Sequence, residues 1–190
     1  MVHIKKLKII MISIILAVIA LIPNNVLADG PSYDITNYDM DAYIQEDGTI
    51  HIDESITYYF SSSANGLTRD LRYFYKTNKD SMEPNSARYQ ATGIENITVA
   101  VTNPANITTN FTKASNAEKG DNGVYTVDAV NADRTDGYDI MVYSPISSNN
   151  FQTVHYSYDI TDAVVQYNDM SEIYYNFIGN GIETDVDEFN

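Results

Sequence analysis

Cysteine and tryptophan are both absent from this 190-residue chain. Without cysteine there is no disulfide, no thiolate metal centre and no cysteine nucleophile, so the fold must be held by its core. Basic residues are scarce as well: 11 Lys and Arg stand against 26 Asp and Glu, a formal charge of -15. Such a chain repels phosphate backbones. Its one basic group, Arg69, Arg72, Lys76, Lys79 and Arg88, lies inside acidic sequence, which argues against a nucleic-acid partner. Proline occurs five times and glycine nine times, too rarely for a low-complexity chain. Tyrosine is plentiful, 16 residues within a hydrophobic share of 44%, and that share suits a folded domain.

The one long apolar run stands at the start. Lys5, Lys6 and Lys8 precede residues 9–22, which only Ser13 interrupts, and Pro23-Asn24-Asn25-Val26-Leu27-Ala28 follows. A basic start, an apolar run shorter than the roughly 20 residues of a membrane span, and Val26 and Ala28 in the cleavage positions read as a signal peptide over 1–28. The competing reading is an uncleaved anchor, because Val26 and Leu27 carry the apolar stretch past its polar break. Cleavage between Ala28 and Asp29 removes three of the basic residues and no acidic one, and leaves 29–190 as one domain.

From Tyr33 onward apolar and polar residues alternate in segments separated by Gly, Asn, Asp, Pro and Ser, which predicts an all-β domain. Tyr38, Met40, Ala42, Ile44 and then Ile50, Ile52, Ile56, Tyr58, Phe60 flank a hairpin turn that uses Gly48. Further strands are predicted over 94–101, 123–130, 138–143 and 151–160, with weaker ones at 72–75 and 107–112. Roughly seven or eight short strands point to an antiparallel, immunoglobulin-like β-sandwich. Residues 65–88 are polar, mixed in charge and mostly without period, and read as a long connection carrying one short strand. Near the end Asp169-Met170-Ser171-Glu172 resembles a capping box ahead of Ile173, Tyr174 and Phe177, with Gly179 and Gly181 as stops. One short helical turn is expected there.

Chemistry is harder to find. Alternation places His51 with Asp53, Ser55 and Thr57, and His155 with Ser157 and Asp159, on the face away from the core. A Ser-His-Asp set can be drawn from them, but neither a Gly-x-Ser-x-Gly elbow nor a zinc-type histidine pair accompanies it. Asp39 with Asp41, or Asp53 with Glu54, are carboxylate pairs of the kind glycoside hydrolysis uses, although adjacent strand residues point to opposite faces. Residues 131–137 imitate a calcium loop, yet Asp136 stands where that loop needs glycine and Val142 where it needs glutamate. Asn-x-Thr triplets begin at Asn96, Asn106 and Asn110. No catalytic residue, metal ligand or cofactor is assigned. Glu54 alone breaks the pattern: in register with Ile50, Ile52, Ile56 and Tyr58 it points to the core side, where a carboxylate needs a partner. Arg69 and Arg72 are the candidates, with Arg72 favoured; the alternative is a rim position in water.

Two blocks resemble a known family. The first runs from Glu46-Asp47-Gly48-Thr49 through Glu54 to Tyr58-Tyr59-Phe60, then Asn65-Gly66-Leu67-Thr68-Arg69-Asp70-Leu71; the second holds Tyr156, Tyr158, Ile160, Val164, Val165, Tyr167, Asn168, Asp169, Glu172, Asn176 and Gly179. Together they are similar to the N-terminal region of the predicted membrane proteins grouped as domain of unknown function 2207. The resemblance implies an exported β-rich domain, tethered in full-length relatives by hydrophobic segments further along the chain, with no established activity and no catalytic residues to carry over. Relatives usually show Trp where Tyr175 stands and often another near Ile182, and they continue past the position of Asn190. The expectation is therefore a fragment or a short secreted form.

These readings point to an exported, non-enzymatic binding or structural module of the cell envelope. Its partner would be a protein or glycan there, and the membrane would be reached only through a missing C-terminal segment or an uncleaved signal. A carbohydrate-binding module stacking sugars on tyrosine, and an extracellular carboxylate-dependent hydrolase, are the alternatives. Intact-mass analysis of exported chain should give Asp29 as the first residue, whereas a mass retaining Met1 would favour the anchor.

Overall fold

Two sheets built from alternating strands share one core in the computed structural model, which describes residues 32–75, 91–132, 135–173, 175, 177–178 and 186–190. The signal segment, with Ala28 and Asp29, lies outside the described residues. The expected hairpin pairs β1 (Tyr33–Ile44) with β2 (Ile50–Phe60), and Gly48 takes φ 86° in its turn. After β3 (Ala64–Tyr75) come β4 (Gly93–Thr102), β5 (Thr108–Asn110), β6 (Thr112–Lys113), β7 (Val124–Ala132), β8 (Thr135–Ile146) and β9 (Asn150–Thr161). A short hairpin of β10 (Val164–Gln166) and β11 (Ser171–Ile173) follows. The larger sheet has the order β1-β2-β9-β4-β5 and is antiparallel between its named strands; the smaller is β3-β8-β7-β6, with β6 parallel to β7.

Period two fills the core. Ile50, Ile52, Ile56, Tyr58 and Phe60 of β2 and Val154, Tyr156, Tyr158 and Ile160 of β9 are buried against Leu67 and Leu71 of β3 and Ile140 and Val142 of β8. Each fully buried isoleucine contributes about 1.5–3 kcal/mol, which is how a chain without disulfides can hold together. Two polar groups that enter this space are paired across the sheets: Gln152 Nε2 donates to Ser144 at 2.7 Å and the Tyr125 hydroxyl to the Ile97 carbonyl at 2.8 Å.

The principal cross-link is ionic. Glu54 is 2% exposed, and Arg69 of β3 grips it bidentately, Nε to Oε1 at 2.8 Å and Nη2 to Oε2 at 3.0 Å. The Tyr38 hydroxyl donates to Oε2 at 2.6 Å, while Arg69 also donates to the carbonyls of Asp70, Phe177 and Ile178. Burial opposes the charge on Arg69, but the adjacent carboxylate more than offsets this and raises its pKa well above the ordinary value.

Four expectations need correction. Arg72, the favoured partner, faces outward and pairs with Asp139 at 2.6 Å and Asp70 at 3.4 Å. The long connection over 65–88 is a strand as far as Tyr75; residues 76–90 lie outside the described ones. Leu67, Arg69 and Leu71 all point inward, and a buried arginine in the middle of that row conceals the period. Bulges at Ala64/Gly66 and Arg72/Phe74 interrupt it further. Gly66 and Gly137 lie so close to the facing strand that a Cβ would meet the Val142 and Leu71 carbonyl oxygens at 1.9 and 2.1 Å.

The third correction concerns the helical turn: Ser171–Ile173 forms β11, and the chain reverses where Tyr167 N–H donates to the Met170 carbonyl at 2.8 Å. A single helical turn gains little for the dihedrals it fixes, whereas this hairpin gains ladder bonds and docks Val164 N–H on the Gly48 carbonyl at 3.2 Å. Tyr174 and residues 179–185 lie outside the described residues. The fourth concerns connectivity. An immunoglobulin chain lays strands A to G as ABED and CFG. Here β1, β2, β3 and β4 can take the places of A, B, C and D, but β7, β8 and β9 then occupy those of G, F and E, so the last three are threaded in reverse.

Residues 186–190 close the free side of β1. They run parallel to it through Ile35↔Val186 and Tyr38↔Phe189, with Tyr38 N–H bonded to the Glu188 carbonyl at 2.9 Å and Asn190 N–H to the Tyr38 carbonyl at 2.9 Å.

Denaturant melts should show Glu54→Ala and Arg69→Ala each destabilising by about 3–5 kcal/mol, with joint apolar replacement far milder. Arg72→Ala, whose partner Asp139 is 43% exposed, should cost about 1 kcal/mol or less. Equal losses for Arg69 and Arg72 would contradict the division of roles.

Candidate functional site

The outward face of the larger sheet carries a row of polar side chains that register brings together. His51↔Asp159 and Asp53↔Ser157 are direct partners across β2 and β9, and Ser55↔His155 lies one step further along. As the alternation predicts, both histidines point away from the core. His51 Nδ1 lies 2.6 Å from Asp159 Oδ1, and its Nε2 stands 3.4 Å from Ser157 Oγ and 3.5 Å from Asp53 Oδ2. The second Asp159 oxygen accepts from Asn96 at 2.6 Å. His155 is held between Ser55 Oγ, 2.7 Å from Nδ1, and Thr102 Oγ1, 2.8 Å from Nε2.

The two imidazoles differ electrostatically. The Asp159 hydrogen bond raises the pKa of His51, burial opposes it, and Asp53 adds to the rise. Burial disfavours the Asp159 carboxylate, but Asn96 and His51 outweigh that and hold its pKa below the usual range. Among the described residues His155 has no carboxylate partner, and burial lowers its pKa.

Asp159, His51 and Ser157 follow the atom order of a catalytic triad, yet the arrangement suits a clasp between strands better than a nucleophile. Ser157 Oγ lies beyond the ~2.6–3.2 Å over which a base takes a proton, and the Asp53 carboxylate competes for the same nitrogen. Ser157 is also paired on both sides, to Asp53 and to Thr98, so the backbone around it serves the ladders and is not gathered as an oxyanion hole. Asp53 and Glu54 face opposite sides of β2, one exposed and one buried, and Asp39 and Asp41 are both exposed.

Beside the clasp is a cleft of about 520 Å³ on β2, β9, β4 and β5, with Tyr125 of β7 also reaching it, lined among others by Asp53, Ser157, Thr98, Asn110 and Phe111. Sequence reasoning missed Asn96, Thr98, Asn110 and Phe111 as members of one site. Asn96 takes φ 53° inside the β4 bulge between Glu95 and Thr98, and Asn106 takes φ 60° in a turn, backbone positions that favour asparagine and that account for two of the Asn-x-Thr triplets. Of the calcium-like run, Asp133 and Arg134 lie outside the described residues, and Asn131 pairs with Asp136 at the end of the β7–β8 hairpin. Among the described residues no group of three or more His, Asp or Glu is placed to hold a metal ion.

The raised pKa of His51 fixes the sign of a pH effect. Its stabilisation is fully present below the unfolded value of about 6.5 and is lost as pH rises through the folded value. His51→Ala should therefore lower the melting temperature more at about pH 5.5 than at about pH 8.5. A pH-independent loss would mean that the imidazole acts by packing alone.

Among the described residues no helix is long and apolar enough to cross a membrane. No curated protein matches the sequence. The family described as predicted membrane protein (DUF2207) N-terminal domain matches residues 34–190, from the start of β1 through the segment that closes its edge, and the chain belongs to that family.

Proposed function

We propose that this chain is an extracytoplasmic binding module of the cell envelope, a two-sheet β-sandwich that holds a partner and does not transform it. The observation that carries the reading is the family match, which makes residues 34–190 the N-terminal domain of a predicted membrane protein. The basic start and apolar run before that domain are what deliver a chain across a bilayer. The immunoglobulin-like part of the reading is limited to strand places: β1, β2, β9 and β4 lie over β3, β8 and β7 as ABED lies over CFG, with different threading. The non-enzymatic part rests on the clasp geometry, in which His51 is engaged by carboxylates on both ring nitrogens.

An amine-reactive label that does not cross membranes, applied to intact protoplasts expressing the full chain, should modify the exposed Lys113 and Lys119 without lysis. Labelling that appears only after lysis would end the extracytoplasmic reading.

A further inference from the structure

The cleft on the outer face has the chemistry of one ligand class. Its polar groups form two neighbouring rows across the sheet, Asp53↔Ser157↔Thr98 and Ser55↔His155↔Ala100↔Asn110. With strands about 4.8 Å apart, the longer row spans about 14 Å. Ser55 and His155 are spent on each other and on Thr102. The other row has capacity to spare: among the described residues Asp53 meets only His51, at 3.5 Å, and the 3.4 Å contact to the same nitrogen is all that engages Ser157 Oγ. The side chains of Thr98 and Asn110 make no hydrogen bond among the described residues. Phe111, which follows Asn110 and donates its N–H to the Val99 carbonyl at 2.8 Å, turns with Val99 toward the core and only borders the cleft. The cleft volume of about 520 Å³ lies within the ordinary range for small-molecule sites.

Charge and topology narrow the occupant. No lysine or arginine lines the cleft, and Asp53 together with the chain's net charge of -15 disfavours anions. One open carboxylate is a poor start for a calcium ion, which takes six to eight oxygens. A peptide adding as a strand needs a free sheet edge, and this cleft lies on a face whose backbone is already laddered. What remains is a neutral molecule rich in hydroxyls, able to donate to a carboxylate and exchange hydrogen bonds with Ser, Thr and Asn.

We propose that the cleft binds a short, uncharged, β-linked oligosaccharide, with Asp53, Ser157, Thr98 and Asn110 meeting its hydroxyls. This deepens the envelope reading and rests on it only for where such a glycan is encountered.

Isotope-labelled full chain titrated with cellotriose and with triacetylchitotriose, each to about 10 mM, tests it by amide shifts. At least one sugar should give saturable shifts at Ser157, Thr98 and Asn110; Asp53→Ala and Asn110→Ala should each weaken binding about ten-fold, and Asn110→Ala, on an exposed side chain outside the His51 clasp, should leave the melting curve intact. The proposal is overturned if neither sugar saturates, if binding survives both variants, or if calcium chloride alone gives the same saturable shifts. Binding without surface labelling would sink the envelope reading and spare this one; labelling without binding would do the reverse.

Discussion

A guanidinium cannot be buried without an acceptor for each of its donors, and that requirement at Arg69 organises the fold. Its partners come from β2 through Glu54, from β1 through Tyr38, from β3 itself through the Asp70 carbonyl, and from the C-terminal stretch through the carbonyls of Phe177 and Ile178. A one-residue slip of β3 would send Arg69 to solvent and strand Glu54 in an apolar core, so the network fixes register as well as contact. Burial raises the pKa of Tyr38, Tyr58, Tyr156 and Tyr158 around it, so these phenols stay neutral and add no rival charge. The Tyr156 hydroxyl has no partner among the described residues, a deficit of about 1–3 kcal/mol that the surrounding apolar packing must offset.

The larger sheet separates two tasks by parity. Even positions of β2 and β9 build the core, while odd positions place His51, Asp53, Ser157 and Asp159 on the opposite face. The His51–Asp159 contact secures the two central strands from outside, as Glu54–Arg69 secures the two sheets from inside. Both carboxylates are engaged, and Asp53 is the one beside the cleft that keeps capacity for a ligand.

Local alternation carried much of this into the sequence. Ile50, Ile52, Ile56 and Tyr58 set the face of β2, and that face exposed Glu54 as an inward charge. The choice between Arg69 and Arg72 could not be read the same way, because the bulge between Ala64 and Gly66 resets the parity of β3 and the buried row Leu67, Arg69, Leu71 carries a charge at its centre. The β10–β11 hairpin was hidden by a capping pattern whose residues serve a turn equally well. The cleft was hidden for a different reason: Asp53, Thr98 and Asn110 are far apart in the chain and meet only through β9, which arrives last of the strands that line the cleft. Its neighbour Asn96 likewise reaches Asp159 across 63 residues.

The parallel pairing of β1 with residues 186–190 has a mechanical consequence. β1 and residues 186–190 lie side by side and point the same way, joined by four backbone hydrogen bonds. Tension drawn through both ends would pull these strands along their length in opposite senses and load all four bonds together in shear. An antiparallel closure at the same place would peel open one bond at a time. A sheet edge closed in this way resists stretching between Tyr33 and Asn190 more strongly than its modest number of contacts implies.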